Sequence, residues 1–295
     1  MMMKRLFLLG ILISFVATLY SQTREDKYVE VGGCSFAMVY VEGGSFMMGA
    51  PNNDSEVDAD TRPAHKVTLS SYYIGKYEVS QRLWEAVMGS DPSTYKNPMP
   101  DNEFIDVPVH DVSWEDCQVF VKKLSKMTGQ NFRLPTEAEW EFAARGGKKS
   151  KGYKYAGSNS LGEVAYYDAE SPAFIGPSRP RRGNELGIYD MTGNVDEWCQ
   201  DWYAPYTKAA QVNPKGPKTG SYRVLRGGSF FKYNKNWKVY ERMKDGNGYS
   251  STRLGLRLVL SVQGNASKTT KGTKSSSTSK SGKSTKTNKT GKTRR

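Results

Sequence analysis

Residues 133–147 read RLPTEAEWEFAARGG, and their punctuation sets a helix inside an otherwise irregular chain. Thr136 followed three residues later by Glu139 is a capping box, in which hydroxyl and carboxylate satisfy each other's backbone donors. Ala138, Phe142 and Ala143 give the helix an apolar face with Trp140 at its edge, and Gly146-Gly147 stop it. Upstream, Ser113 with Glu115, Asp116 and the spacing of Val119, Phe120 and Leu124 predicts a second helix. Ser80 predicts a short one over Gln81 to Met88. Imperfect alternation over Lys27 to Tyr40, with a turn at Gly32-Gly33, predicts two strands. Two more are predicted at Lys66 to Ser70 and Tyr72 to Val79. Downstream, 147–222 is rich in Gly, Pro, Asn and Tyr with little periodicity, yet Trp198 and Trp202 require it to be packed. Strands at Tyr222 to Arg226 and Leu254 to Leu260 close the domain. Few helices, short strands and a long ordered irregular region define an α+β class.

The ends differ from this middle. Lys4 and Arg5 precede an apolar run from Leu6 to about Leu19, then Tyr20, Ser21 and Gln22. That order predicts a secretory signal peptide over 1–21, with a retained anchor as the alternative, and places the protein in the periplasm or outside the cell. From Gly264 to Arg295 there are eight Lys, two Arg and no acid, within a chain whose net charge is +13. The remainder is close to neutral, which argues against a specific nucleic-acid-binding domain. The segment 263–295 cannot bury enough apolar surface to order itself, and serves as a solvated spacer or as a contact to an anionic envelope surface. Residues 22–262 form the folded domain. Of three cysteines, Cys117 falls within a helical apolar stripe, while Cys34 and Cys199 have the option of pairing.

Two further motifs follow RLPTEAEWE in order: LGIYDMTGNVDEW at Leu186 to Trp198 and RGGS at Arg226 to Ser229. GGSFMMGA (Gly43 to Ala50), Tyr77-Glu-Val-Ser, Pro108-Val-His-Asp-Val-Ser-Trp and a closing Leu254-Gly-Leu-Arg-Leu complete the series. Together they resemble the formylglycine-generating enzyme family, also called the sulfatase-modifying-factor family, over roughly Phe36 to Leu260. The resemblance implies the C-type-lectin-like fold of that domain.

It also implies site roles. In the family, the YDMxGNVxEW segment binds a structural calcium, which here falls to Asp190, Gly193, Val195 and Glu197; hard oxygen donors suit that ion. The family oxidises a substrate cysteine with copper held by two thiolates, three and eight residues after the RGGS serine. Those positions are Lys232 and Trp237, so no copper is expected. Ser229 and Arg257 match the family, whereas Asp196 replaces a tryptophan and Arg253 an asparagine. A related iron enzyme uses three histidines, but this chain has only His65 and His110.

What remains is a binding surface for a peptide, protein or glycan, built from Ser229, Lys232, Tyr233, Trp237, Arg253 and Arg257. The bland alternative puts Phe230, Val239 and Tyr240 in the core and leaves the Lys residues facing solvent. The resemblance leads to an exported, non-catalytic domain in a bacterial envelope assembly, as in the gliding and secretion machinery of Bacteroidota. The alternative is a divergent formylglycine-generating oxidase, or another enzyme acting on a protein cysteine.

Overall fold

The computed structural model describes residues 25–97, 107–165, 181–230 and 237–262. The signal-like N-terminus, the basic tail, Lys232 and Tyr233 lie outside the described residues.

The chain begins with strands β1 (Lys27–Val31) and β2 (Cys34–Val41), paired antiparallel about Gly32 and Gly33. Both glycines have positive φ (55° and 79°), which this tight turn demands and a side chain resists. Next come β3 (Gly44–Met48), β4 (His65–Leu69) and β5 (Tyr72–Gly75), then helices α1 (Gln81–Met88) and α2 (Trp114–Thr128). Strand β6 (Phe132–Arg133) leads into α3 (Glu137–Ala144), followed by the single turn α4 (Leu161–Val164). The rest is strand: β7 (Asp196–Trp202), β8 (Gln211–Val212), β9 (Arg223–Arg226), β10 (Met243–Asp245), β11 (Leu254–Gly255) and β12 (Val259–Ser261).

The strands form three sheets, ordered β1-β2-β5-β12-β6, β10-β9-β7-β11 and β3-β4-β8. The five-stranded sheet is buried on both faces. Met38 and Tyr73 meet α1 and α2 on one side, where the Trp84 and Phe120 rings stack 4.7 Å apart. Val39, Val41, Tyr72 and Ile74 meet α3 on the other. All three anticipated helices are present with their caps: Leu83 N donates to Ser80 Oγ, and Ser113–Asp116 and Thr136–Glu139 are reciprocal capping boxes.

Three expectations change. Helix α3 has no solvent face, since every residue from Glu137 to Ala144 is buried. Strand β7 lies inside the region expected to be irregular. Its sequence, DEWCQDW, reads as polar because three buried carboxylates, Asp196, Glu197 and Asp201, sit in it. The closing Leu254–Leu260 segment is two strands instead of one: β11 runs parallel to β7, β12 runs antiparallel to β5, and the chain crosses between the sheets at Arg257.

Candidate functional site

Helix α3 organises the site through buried charge. Glu137 accepts from Arg242 Nε (2.6 Å) and Nη2 (2.9 Å), and Glu139 accepts from both Nη atoms of Arg133 (2.6 and 2.7 Å). Glu141 binds Arg226 and Arg145, and accepts from Gly49 N at 2.9 Å. Arg226 opens the RGGS motif, so the helix fixes where that loop begins. The loop then needs left-handed backbone at Gly227 (φ 98°) and Gly228 (φ 79°). It is clipped to the GNV turn by two backbone bonds, Gly193 N to Gly227 O and Phe230 N to Asn194 O, each 2.9 Å.

At the position of the family's reaction centre lies a filled polar knot. Ser229 is buried next to the Asp196 carboxylate and lowers its pKa. Arg253 Nη1 donates to that carboxylate, and Nη2 reaches Asp245 at 3.0 Å. The two residues that depart from the family pattern, Asp196 and Arg253, are therefore partners. Parallel pairing of β11 with β7 brings them together, with Asp196 N donating to Arg253 O at 2.7 Å. Burial pushes the Asp196 carboxyl up to about 6, against the pull of Arg253 and Ser229. Trp237 is buried against Gly228: a Cβ there would stand 2.0 Å from its Cδ1.

Three residues anticipated at the binding surface are buried instead: Ser229, Trp237 and Arg257. Arg257 is wholly buried, and its Nε, Nη1 and Nη2 donate to Glu197, Gly75 O and Tyr189 O inside the protein. Trp237 packs inward instead of being displayed. Arg253, partly exposed, lies at the rim.

The segment implied for calcium is turned by positive φ at Asp190 (57°), Gly193 (85°) and Asn194 (64°). It holds more negative charge than its surroundings neutralise. Glu78, unforeseen as a site residue, joins Asp190 and Glu197 as a third buried carboxylate beside Arg257. Its oxygens accept from Asn194 Nδ2 (2.5 Å) and Val195 N (3.2 Å). Burial, then the Asp190 and Glu197 charges, hold Glu78 well above the usual carboxylate range, and burial pushes Asp190 up to about 7. Asp190 Oδ2 and Asn194 Oδ1 are buried without a hydrogen-bond partner. Excess negative charge and two orphaned oxygens fit a hard cation on the Asp190 side. Glu197 does not fit as it stands: both its oxygens receive Arg257, and Oε2 also receives Trp140 Nε1 at 2.7 Å. Among the described residues, no three His, Cys, Asp or Glu side chains converge to hold a metal ion.

None of the three cysteines forms a disulfide, so Cys34 and Cys199 do not pair. Cys117 and Cys199 lie in different apolar clusters, and burial pushes both well above the usual thiol range. His110 is buried, its Nε2 receiving Tyr95 N at 3.0 Å, and burial lowers its pKa. His65 packs edge-on to Tyr206. Both histidines are structural.

A small α+β scaffold whose RGGS and GNV turns are locked to one buried, Glu-rich helix is the class these features define. The chain belongs to the sulfatase-modifying factor enzyme 1-like domain family, whose model matches residues 32–262. It is 33% identical over 275 residues to chaperone protein LppX of Paenibacillus barcinonensis, covering 76% of this chain and 89% of that one. It is 29% identical over 286 residues to the formylglycine-generating enzyme of Thermomonospora curvata, covering 75% and 92%. Among solved structures, Treponema denticola variable protein 1 superposes with a TM-score of 0.73 at 31% identity, covering 81% of this chain and all of that one.

Proposed function

We propose that this protein is an exported member of the family that does not oxidise cysteine and uses the scaffold to bind a peptide, protein or glycan in a cell-envelope assembly. One observation carries the reading. Where the family places copper-binding thiolates stand Lys232 and Trp237, and Trp237 is packed onto Gly228, next to a buried Ser229. Copper(I) is a soft ion that selects thiolates, and the two buried thiols are held protonated. The signal-like N-terminus supports export; among the described residues no helix is long and apolar enough to cross a membrane. The divergent-oxidase alternative draws on the relatives named formylglycine-generating enzyme. Copper(I) titration against a competing chelator separates the two. The proposed function predicts no stoichiometric site, and one tightly held copper per chain would overturn it.

Structural calcium belongs to the same proposal, held by Asp190 and the turn around Gly193 and Val195. Glu197 would join only by giving up part of its Arg257 pairing. An ion at about a hundred times its Kd adds about 2.7 kcal/mol to the folded state. Chelator is therefore expected to lower the Tm, and Asp190→Asn to remove most of that response. Equal melting with and without chelator would end the calcium assignment.

A further inference from the structure

Away from the RGGS loop, a cavity of about 380 Å³ opens between the β1–β2 hairpin, the bend after β5 and the first turn of α1. We propose that it is a binding site for a small ligand carrying an oxyanion, carboxylate or phosphate, on an aromatic or apolar body. Its volume is that of a small-ligand pocket, and its lining, more polar than apolar, sets convergent polar groups beside Phe36, Val79, Leu83 and Leu258.

The charge balance gives the sign of the ligand. Lys76 and Arg82 line the cavity, and neither has an ion-pair partner among the described residues. By contrast, the partly buried Arg133, Arg145 and Arg253 and the buried Lys238 all hold carboxylates. The one carboxylate residue in the lining, Glu78, turns its oxygens away to Asn194 and Val195 N. Glu30 faces Ser35 across the hairpin but does not line the cavity. Two unpaired cations at a concave site with no opposing acid attract an anion and hold it by charge-assisted hydrogen bonds. Ser80 adds a hydroxyl that already accepts from Leu83 N and keeps its own proton to donate. Phe36 and Tyr77 supply ring surface for the ligand's body, and Tyr77 is itself stacked on Tyr189, 5.1 Å between centroids, which fixes its plane. This site shares none of its lining with Ser229, Asp196, Arg253 or Trp237, and its test is independent of the oxidase question.

Cys34 lines the same cavity and is the only partly exposed cysteine, since Cys117 and Cys199 are fully buried. It therefore reports occupancy. The rate at which neutral dithiodipyridine labels Cys34 in the folded, full-length mature protein is measured alone and with benzoate, phenyl phosphate or benzamide. Benzoate or phenyl phosphate at a few times its Kd is expected to slow labelling about fivefold, following 1 + [L]/Kd, while uncharged benzamide leaves the rate nearly unchanged. Protection by benzoate alone assigns a carboxylate ligand, and by phenyl phosphate alone a phosphate one. In Lys76→Gln/Arg82→Gln the protection is lost while the Tm and the unprotected labelling rate stay near wild type, because neither side chain holds a structural ion pair. Protection by none of the probes, equal protection by benzamide, or protection that survives in the double variant would overturn the assignment.

Discussion

Asp196 and Arg253 each look like an isolated loss when the chain is compared with the family pattern, and become intelligible only as a pair. A tryptophan and an asparagine are replaced by an acid and a base that meet across β7 and β11. Sequence separation hides this: they are 57 positions apart, and nothing local predicts a parallel two-residue bridge. Removing one partner of a largely buried pair strands the other charge. Arg253→Ala is expected to destabilise by about 2 kcal/mol, a value reduced for the partial exposure of Arg253, and Asp196→Asn by a similar amount. The double variant should cost about 1 kcal/mol or more less than the sum of the two, as contacting residues do in such cycles. Denaturant unfolding of the four proteins checks this, and strict additivity would mean that the contact is energetically idle. Glu78 escaped the reading for a related reason. A lone acid in a strand-like run, Tyr77-Glu-Val, looks solvent-facing, and only the fold turns it toward the Asp190 segment.

At the scale of elements, caps were the legible part. Ser80, Ser113 and Thr136 mark their helices because side-chain capping is decided within four residues. Strand β7 and the burial of α3 were not legible, since a carboxylate reads as exposed unless its arginine is known, and Arg226, Arg242, Arg253 and Arg257 lie far along the chain from the acids they meet. Glu141, fully buried between Arg226 and Arg145, shows what such pairs imply. Glu141→Ala is expected to cost about 3 kcal/mol, because it removes the nearest charge partner of the buried Arg226 and leaves it only Glu137, 3.4 Å away. Asp201 on β7 carries a pH signature. Burial, then the nearby Glu137 charge, pushes its carboxyl up to about 8. The folded state therefore binds this proton more tightly than the unfolded chain, whose Asp titrates at about 3.9. Its contribution to stability is full below that value, declines as pH rises, and is gone above about pH 8. Asp201→Asn should then raise the Tm near pH 8 by several degrees more than near pH 5, a difference of about 1 kcal/mol or more at this chain length. A pH-independent difference would place the proton elsewhere.

For the whole molecule, the α+β class and the family follow from motif order, and the fold agrees. Which side chains around RGGS face outward did not follow. Arg257 and Trp237 were expected at a surface and are interior, because the chain crosses between two sheets at Arg257 and Trp237 closes over Gly228. A buried arginine paired to a buried glutamate and a tryptophan on a left-handed glycine are framework. They leave the scaffold intact without the thiolates that the family's oxidation requires. The most direct test incubates the protein with a Cys-x-Pro-x-Arg peptide, copper(I), reductant and air beside a working family oxidase, and reads the peptide by mass spectrometry. The peptide cysteine is predicted to persist as the thiol. Conversion to formylglycine would contradict the account and point to Cys34, Cys117 or Cys199 as copper ligands.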